Sequence, residues 1–139
     1  MKRTSELILM ADDDPDDCML AQRALEESEA GGSLVCVPDG VELLDYLSGR
    51  GQYKGSRPPA LVLLDLNMPR KDGRQALKEI REDPELKDTR IVIFTTSSEP
   101  KDIELSRRLG ADEFITKPSM FEDWVQIMRS LVEKVSPPD

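Results

Sequence analysis

No histidine occurs among the 139 residues. Its absence removes the usual zinc ligand and the usual general base near neutral pH, so a zinc centre and a Ser/His/Asp triad are both excluded. Cysteine is nearly as scarce. Cys18 and Cys36 lie far apart without CxxC spacing and read as plain apolar fillers. Positive charge is also short, with 19 Lys and Arg against 28 Asp and Glu, a net charge of -9. That balance disfavours direct contact with nucleic acid, whose phosphates are held mainly by Lys and Arg, and leaves proteins and cations as partners. No apolar run approaches the roughly 20 residues of a membrane span. The basic start MKRTSEL leads only to the short run LILMA and then to acids, which is no secretory signal. The protein is therefore expected in the cytoplasm, away from the membrane.

What the chain does have is a series of short apolar runs at 7–11, 34–37, 60–64, 91–95 and 113–116. Most are nearly continuous rather than alternating, as in strands of a parallel sheet covered on both faces. The intervening segments carry helical spacing. Asp14 and Pro15 open the first helix, whose stripe is Leu20, Ala21, Ala24 and Leu25. Val41, Leu44 and Leu47 mark the second, and Ala76, Leu77 and Ile80 the third, beginning near Asp72 or Gly73. The fourth runs from Pro100 to Gly110, and the fifth places Phe121, Val125, Met128 and Val132 behind a Ser119 cap. The segment SGRGQYKGSRPP at 48–59 reads as an exposed loop and the final SPPD as a frayed tail. A five-fold strand–helix alternation implies one α/β domain, a doubly wound parallel sheet whose ligand site lies beyond the carboxyl ends of the strands.

Those ends deliver Asp12 and Asp13, then Asp65, then Thr95 with Thr96, then Lys117. Two like charges 4 Å apart repel by about 4 kcal/mol at an effective dielectric near 20, so three clustered acids call for a cation. Oxygen ligands without His or Cys favour Mg2+ or Mn2+. A divalent ion, a lysine and a threonine around one carboxylate suit phosphoryl transfer, with Asp65 as nucleophile.

The motifs ADDDPDD, LLDLNMPRKDG, FTTS and FITKPS, in this order, resemble those of the response regulator receiver domain of two-component signalling. The resemblance covers about residues 5–133 and implies a flavodoxin-like sheet of order 2-1-3-4-5 with five helices and no effector domain. It implies that Asp13 is a direct metal ligand, Asp12 one acting mainly through water, Asp65 the phosphoacceptor, and that the Asn67 backbone carbonyl completes the metal site. Thr95 and Lys117 would contact the phosphoryl group, Gly73 would close the loop after Asp65, Pro118 would stand in a cis-prone position, and Phe114 would be an aromatic switch coupled to Thr95. Asn67 and Ser97 would tune phosphoryl loss, giving moderate self-dephosphorylation.

The implied donor is a sensor histidine kinase or a phosphotransfer protein. The stretch with Tyr46, Leu47, Gly51 and Tyr53 is similar to small stand-alone regulators paired with bacterial phytochrome-type kinases. Output would then pass through contacts of helix four, strand five and helix five, including a possible homodimer. Two other classes fit the residues less well. A haloacid-type phosphohydrolase wants a DxD nucleophile motif, whereas Asp65 is followed by Leu66 and Asn67; a degenerate binding module would lack part of the intact set of Asp12, Asp13, Asp65, Thr95 and Lys117. A calcium loop at DDDPDD lacks the glycine and the terminal Glu of that motif.

Overall fold

The structure, a computed structural model, describes residues 6–136; the last three residues of the expected tail lie outside them. In chain order the elements are β1 (Leu7–Ala11), α1 (Pro15–Ser28), β2 (Ser33–Val37), α2 (Gly40–Ser48), a 3-10 turn (Gly51–Tyr53), β3 (Leu61–Leu64), α3 (Gly73–Glu82), β4 (Ile91–Thr95), α4 (Pro100–Leu109), β5 (Glu113–Thr116) and α5 (Phe121–Val135). All strand pairs are parallel and the sheet order is β2-β1-β3-β4-β5, as the resemblance implied.

The continuous apolar runs follow from two cores, one on each face. Leu7, Leu9, Val62, Leu64, Ile91 and Ile93 point toward α2 and α3, where Leu43, Leu44, Ala76, Leu77 and Ile80 meet them. Their neighbours Ile8, Met10, Leu61, Leu63, Val92 and Phe94 point the other way, onto Ala21, Ala24 and Leu25 of α1 and Trp124, Val125 and Met128 of α5. Alternate residues of one strand thus serve opposite cores, so no position can be polar. Helix α4 stands apart, since Ser106 is its one buried residue.

Helix starts are set by acids. Asp14, Asp39 and Asp72 accept from the amides of Asp16, Glu42 and Gln75 at 2.9, 2.9 and 3.0 Å. The cap expected at Ser119 is not formed. Helix α5 begins one residue later, at a Met120 cap without a side-chain bond, and Glu122 and Asp123 supply negative charge to its first turn.

Two further expectations are revised. Cys18 and Cys36 are not separate fillers; a disulfide links α1 to β2 across a Cα separation of 6.4 Å. The segment at 48–59 is exposed at most positions, as expected, and is tied down where the Tyr53 hydroxyl donates to Glu42 at 2.6 Å and the Tyr46 hydroxyl to the Arg57 carbonyl at 3.0 Å. Burial, reinforced by Glu42, raises the Tyr53 phenol to about 12. No cis peptide bond occurs among the described residues, so Lys117–Pro118 is trans.

The loop after β3 is anchored at its outer end. Arg70, at φ 64, donates through Nε to Asp39 Oδ2 at 2.8 Å and reaches Glu42 at 3.3 Å, while the Gly40 amide donates to the Lys71 carbonyl at 2.9 Å. A Cβ at Gly40 would stand 2.4 Å from that oxygen, so only glycine permits the contact. Burial alone would raise the Asp39 carboxyl, but the Arg70 hydrogen bond overrides it and holds the group below its ordinary 3.8. A lowered folded pKa gives stability that is present above the unfolded value and lost as pH falls through the folded one. Asp39→Asn, which keeps the cap, should therefore unfold more easily at pH 7, by about 1 kcal/mol given the exposure of Arg70. Urea titrations across pH should show the difference shrinking below about pH 4 and vanishing in stronger acid.

Candidate functional site

The carboxyl ends of β1, β3, β4 and β5 converge on one cluster. Asp12 follows β1 directly and its amide donates to the Val37 carbonyl at 3.0 Å; Asp65 follows β3 and donates to the Ala11 carbonyl at 3.0 Å. These ladder bonds place both acids at the same height on adjacent strands. Asp13 joins them, and carboxylate oxygens of Asp12, Asp13 and Asp65 lie within 4.8 Å of one another. Asp12 and Asp65 are buried and Asp13 is exposed, leaving the cluster open to solvent on one side.

Lys117, the residue after β5, closes the other side. Its amide donates to the Thr95 carbonyl at 2.7 Å, and its ammonium donates to Asp12 Oδ2 at 2.6 Å, Asp17 Oδ2 at 2.7 Å and Asp65 Oδ2 at 3.3 Å. The side chain of Lys117 is only 5% exposed. Burial works against its charge, yet the hydrogen bonds to Asp12 and Asp17 win and its pKa is raised. Burial pushes the Asp12 carboxyl above its ordinary value, against the hydrogen bonds from Lys117 and the Asp14 amide. This acid group is uncomfortable as it stands, and a further positive charge would relieve it.

Thr95 is fully buried and its hydroxyl has no partner. A buried hydroxyl without a hydrogen bond costs free energy, so it points to a group that arrives later. The Asn67 amide donates to Asp65 Oδ1 at 3.5 Å, and its side chain is exposed. Gly73 is pressed against the site, where a Cβ would lie 2.1 Å from the Asp65 carbonyl oxygen. Any side chain there would push on the backbone of the acid itself. Phe114 is half-buried, pairs in register with Ile93 and packs on the core under α2 and α3. The Ser97 hydroxyl donates to Asp102 at 2.7 Å, and Asp102 in turn pairs with Arg74 at 3.3 Å; those two bonds hold the Asp102 carboxyl below its usual range.

The residues singled out in the sequence thus meet at one place, Asn67 through its backbone, whose amide faces Asp65, while Phe114 lies further down β5. Asp17 also reaches the site, a role that the sequence marks only by its place in the first turn of α1, close behind the paired acids Asp12 and Asp13. The oxygen-only donor set of Asp12, Asp13 and Asp65 fits a hard divalent cation, and the unpartnered Thr95 hydroxyl fits a phosphoryl oxygen.

The family model described as the response regulator receiver domain matches residues 8–129. The chain belongs to the response regulator receiver family. Members accept a phosphoryl group on an aspartate from a kinase, and they bind a divalent metal. Response regulator Rcp1 of Synechocystis sp. is 34% identical over 126 residues, covering 91% of this chain and 86% of the relative. Among solved structures, the phosphorylated cyanobacterial phytochrome response regulator RcpA is similar with a TM-score of 0.86 and 37% identity, covering 95% of this chain and 94% of that one. The Mn2+-bound form of Rcp1 is similar with a TM-score of 0.84 and 33% identity, covering 97% and 100%. This receiver domain is a signalling protein, and no helix among its described residues is long and apolar enough to cross a membrane.

Replacing Thr95 tests the reading of its hydroxyl. Thr95→Val keeps the shape and removes the unsatisfied donor, so the protein should become more stable by about 1–2 kcal/mol in urea unfolding. A loss of stability would mean that the hydroxyl already has a partner.

Proposed function

We propose that Asp65 takes a phosphoryl group from the phosphohistidine of a sensor histidine kinase, or of a phosphotransfer protein, and that the chain signals through altered protein contacts. The observation that carries this reading is Asp65 at the carboxyl end of β3, within reach of the Lys117 ammonium and beside Asp12 and Asp13. In the transfer, a bond forms between an Asp65 carboxylate oxygen and phosphorus while the donor N–P bond breaks, its electron pair staying on the imidazole. The chain's lack of histidine fits a donor on another protein.

Asp13 would hold Mg2+ or Mn2+ directly, Asp12 mainly through water, and Asp65 with the Asn67 carbonyl would complete the set. When bound, the cation neutralises carboxylate and phosphoryl charge. Lys117 balances one phosphoryl oxygen, and the free Thr95 hydroxyl donates to another, which draws Thr95 toward the site and gives Phe114 room to turn. With Ser97 committed to Asp102, no acid or amide orients water from that position, consistent with moderate phosphoryl lifetime.

Similarity to Rcp1 and RcpA supports a phytochrome-type kinase as donor and action without an effector domain. The exposed Ile103 of α4 and the half-exposed edge strand β5 support a homodimer through α4, β5 and α5. The acidic balance supports action without nucleic acid, and a sensor kinase as donor supports a place in the cytoplasm; no helix among the described residues is long and apolar enough to cross a membrane. The chain catalyses no turnover beyond its own phosphorylation and slow dephosphorylation.

Incubation with acetyl phosphate and Mg2+ tests this. One phosphoryl group per chain, released by hydroxylamine as an acyl phosphate is, is expected, abolished in Asp65→Asn and by chelation, and Mg2+ alone should raise the thermal midpoint. Steady release of phosphate at many turnovers would favour a hydrolase instead, and no labelling would favour a binding module.

A further inference from the structure

A lysine ammonium has three protons to donate, and in Lys117 all three are committed. The shortest contacts are to Asp12 and Asp17, at 2.6 and 2.7 Å, and the longest, at 3.3 Å, is to Asp65. Asp12 belongs with Asp13 and Asp65 to the oxygen cluster that suits a cation; Asp17 does not. A bound cation therefore competes with Lys117 for Asp12 but leaves Asp17 free to keep its hold.

Asp17 is also firmly placed. It sits in the first turn of α1, its amide donating to the Asp14 carbonyl at 3.1 Å, behind Pro15 and a helix cap at Asp14. Below it, Ala21, Ala24 and Leu25 lock α1 onto the core shared with α5. Its carboxylate thus pulls on Lys117 from a fixed point, away from Asp65. Its neighbour Asp16 carries the same charge on the same turn, is exposed, and makes no contact with Lys117.

From this geometry we propose that Asp17 is a positioning residue that competes with the phosphoryl group for Lys117. The proposal rests on the reading of Asp65 as phosphoacceptor. In the unphosphorylated state Asp17 shares the ammonium. Once Asp65 is phosphorylated, Lys117 must turn from Asp17 to a phosphoryl oxygen, so the contact favours the unphosphorylated state alone. Hydrolysis, in which water attacks phosphorus, the bond to the Asp65 oxygen breaks and inorganic phosphate leaves, restores the contact. Because Lys117 begins to return to Asp17 as the phosphoryl group departs, part of the contact is regained in the transition state, and Asp17 thereby shortens the life of the phosphorylated state.

The test follows the decay of phosphorylated full-length protein after removal of acetyl phosphate, with Mg2+ held constant, in the wild type, Asp17→Asn, Asp17→Glu and Asp16→Asn. Asp17→Asn should lengthen the half-life about three- to tenfold, the scale of one ordinary hydrogen bond in net terms. Asp17→Glu, which keeps the carboxylate, should bring it back toward the wild-type value, and Asp16→Asn should leave it unchanged. A half-life in Asp17→Asn equal to or shorter than that of the wild type overturns the proposal while leaving Asp65 as acceptor. An equal gain in Asp16→Asn overturns it too, because bulk charge then explains the effect. Failure of the wild type to take up phosphoryl overturns both readings, and the two kinds of failure are thereby distinguished.

Discussion

A cation held among carboxylates that the sheet cannot neutralise by itself is the constraint on which the site depends. Parallel strands deliver Asp12 and Asp65 to adjacent positions, and backbone bonds to Val37 and Ala11 fix their height. Two buried acids so close would repel strongly, and β5 brings the compensating charge from the far side of β4 in the form of Lys117. One ammonium against four nearby carboxylates, Asp12, Asp13, Asp17 and Asp65, leaves the group short of positive charge. That deficit is what makes the pocket receptive to a divalent ion.

The fold was legible because each strand serves two cores. Alternate residues of β1, β3 and β4 face opposite helix layers, so all must be apolar, and continuous runs such as LVLL are the direct trace of that arrangement. The candidate site was legible because the doubly wound topology sends every strand's last residues to the same edge, so that acids, a threonine and a lysine spaced far apart in sequence could be gathered without knowing any distance. Less legible was anything depending on which way a side chain turns. Asp17 has the composition of a solvated helix acid, and only the reach of Lys117 across the sheet end gives it a partner. The pairing of Cys18 with Cys36 depends on the register of β2 against β1, which short runs do not determine. The start of α5 past Ser119 was likewise not legible, and there the Trp124 indole donates to the Pro118 carbonyl at 2.9 Å.

The mouth of the pocket has two walls of unequal firmness. On one side, the turn carrying Arg70 is riveted to the start of α2 by the Asp39 and Glu42 carboxylates and by the Gly40 amide, with no room for even a methyl group between. On the other, α4 has one fully buried residue, Ser106, whose hydroxyl finds no hydrogen-bond partner, and is otherwise held by side-chain pairs such as Arg74 with Asp102 at 3.3 Å. The two walls thus differ in kind: the first is pinned by backbone packed too closely to admit a side chain, the second by exchangeable side-chain bonds from Arg74 and Ser97 to Asp102.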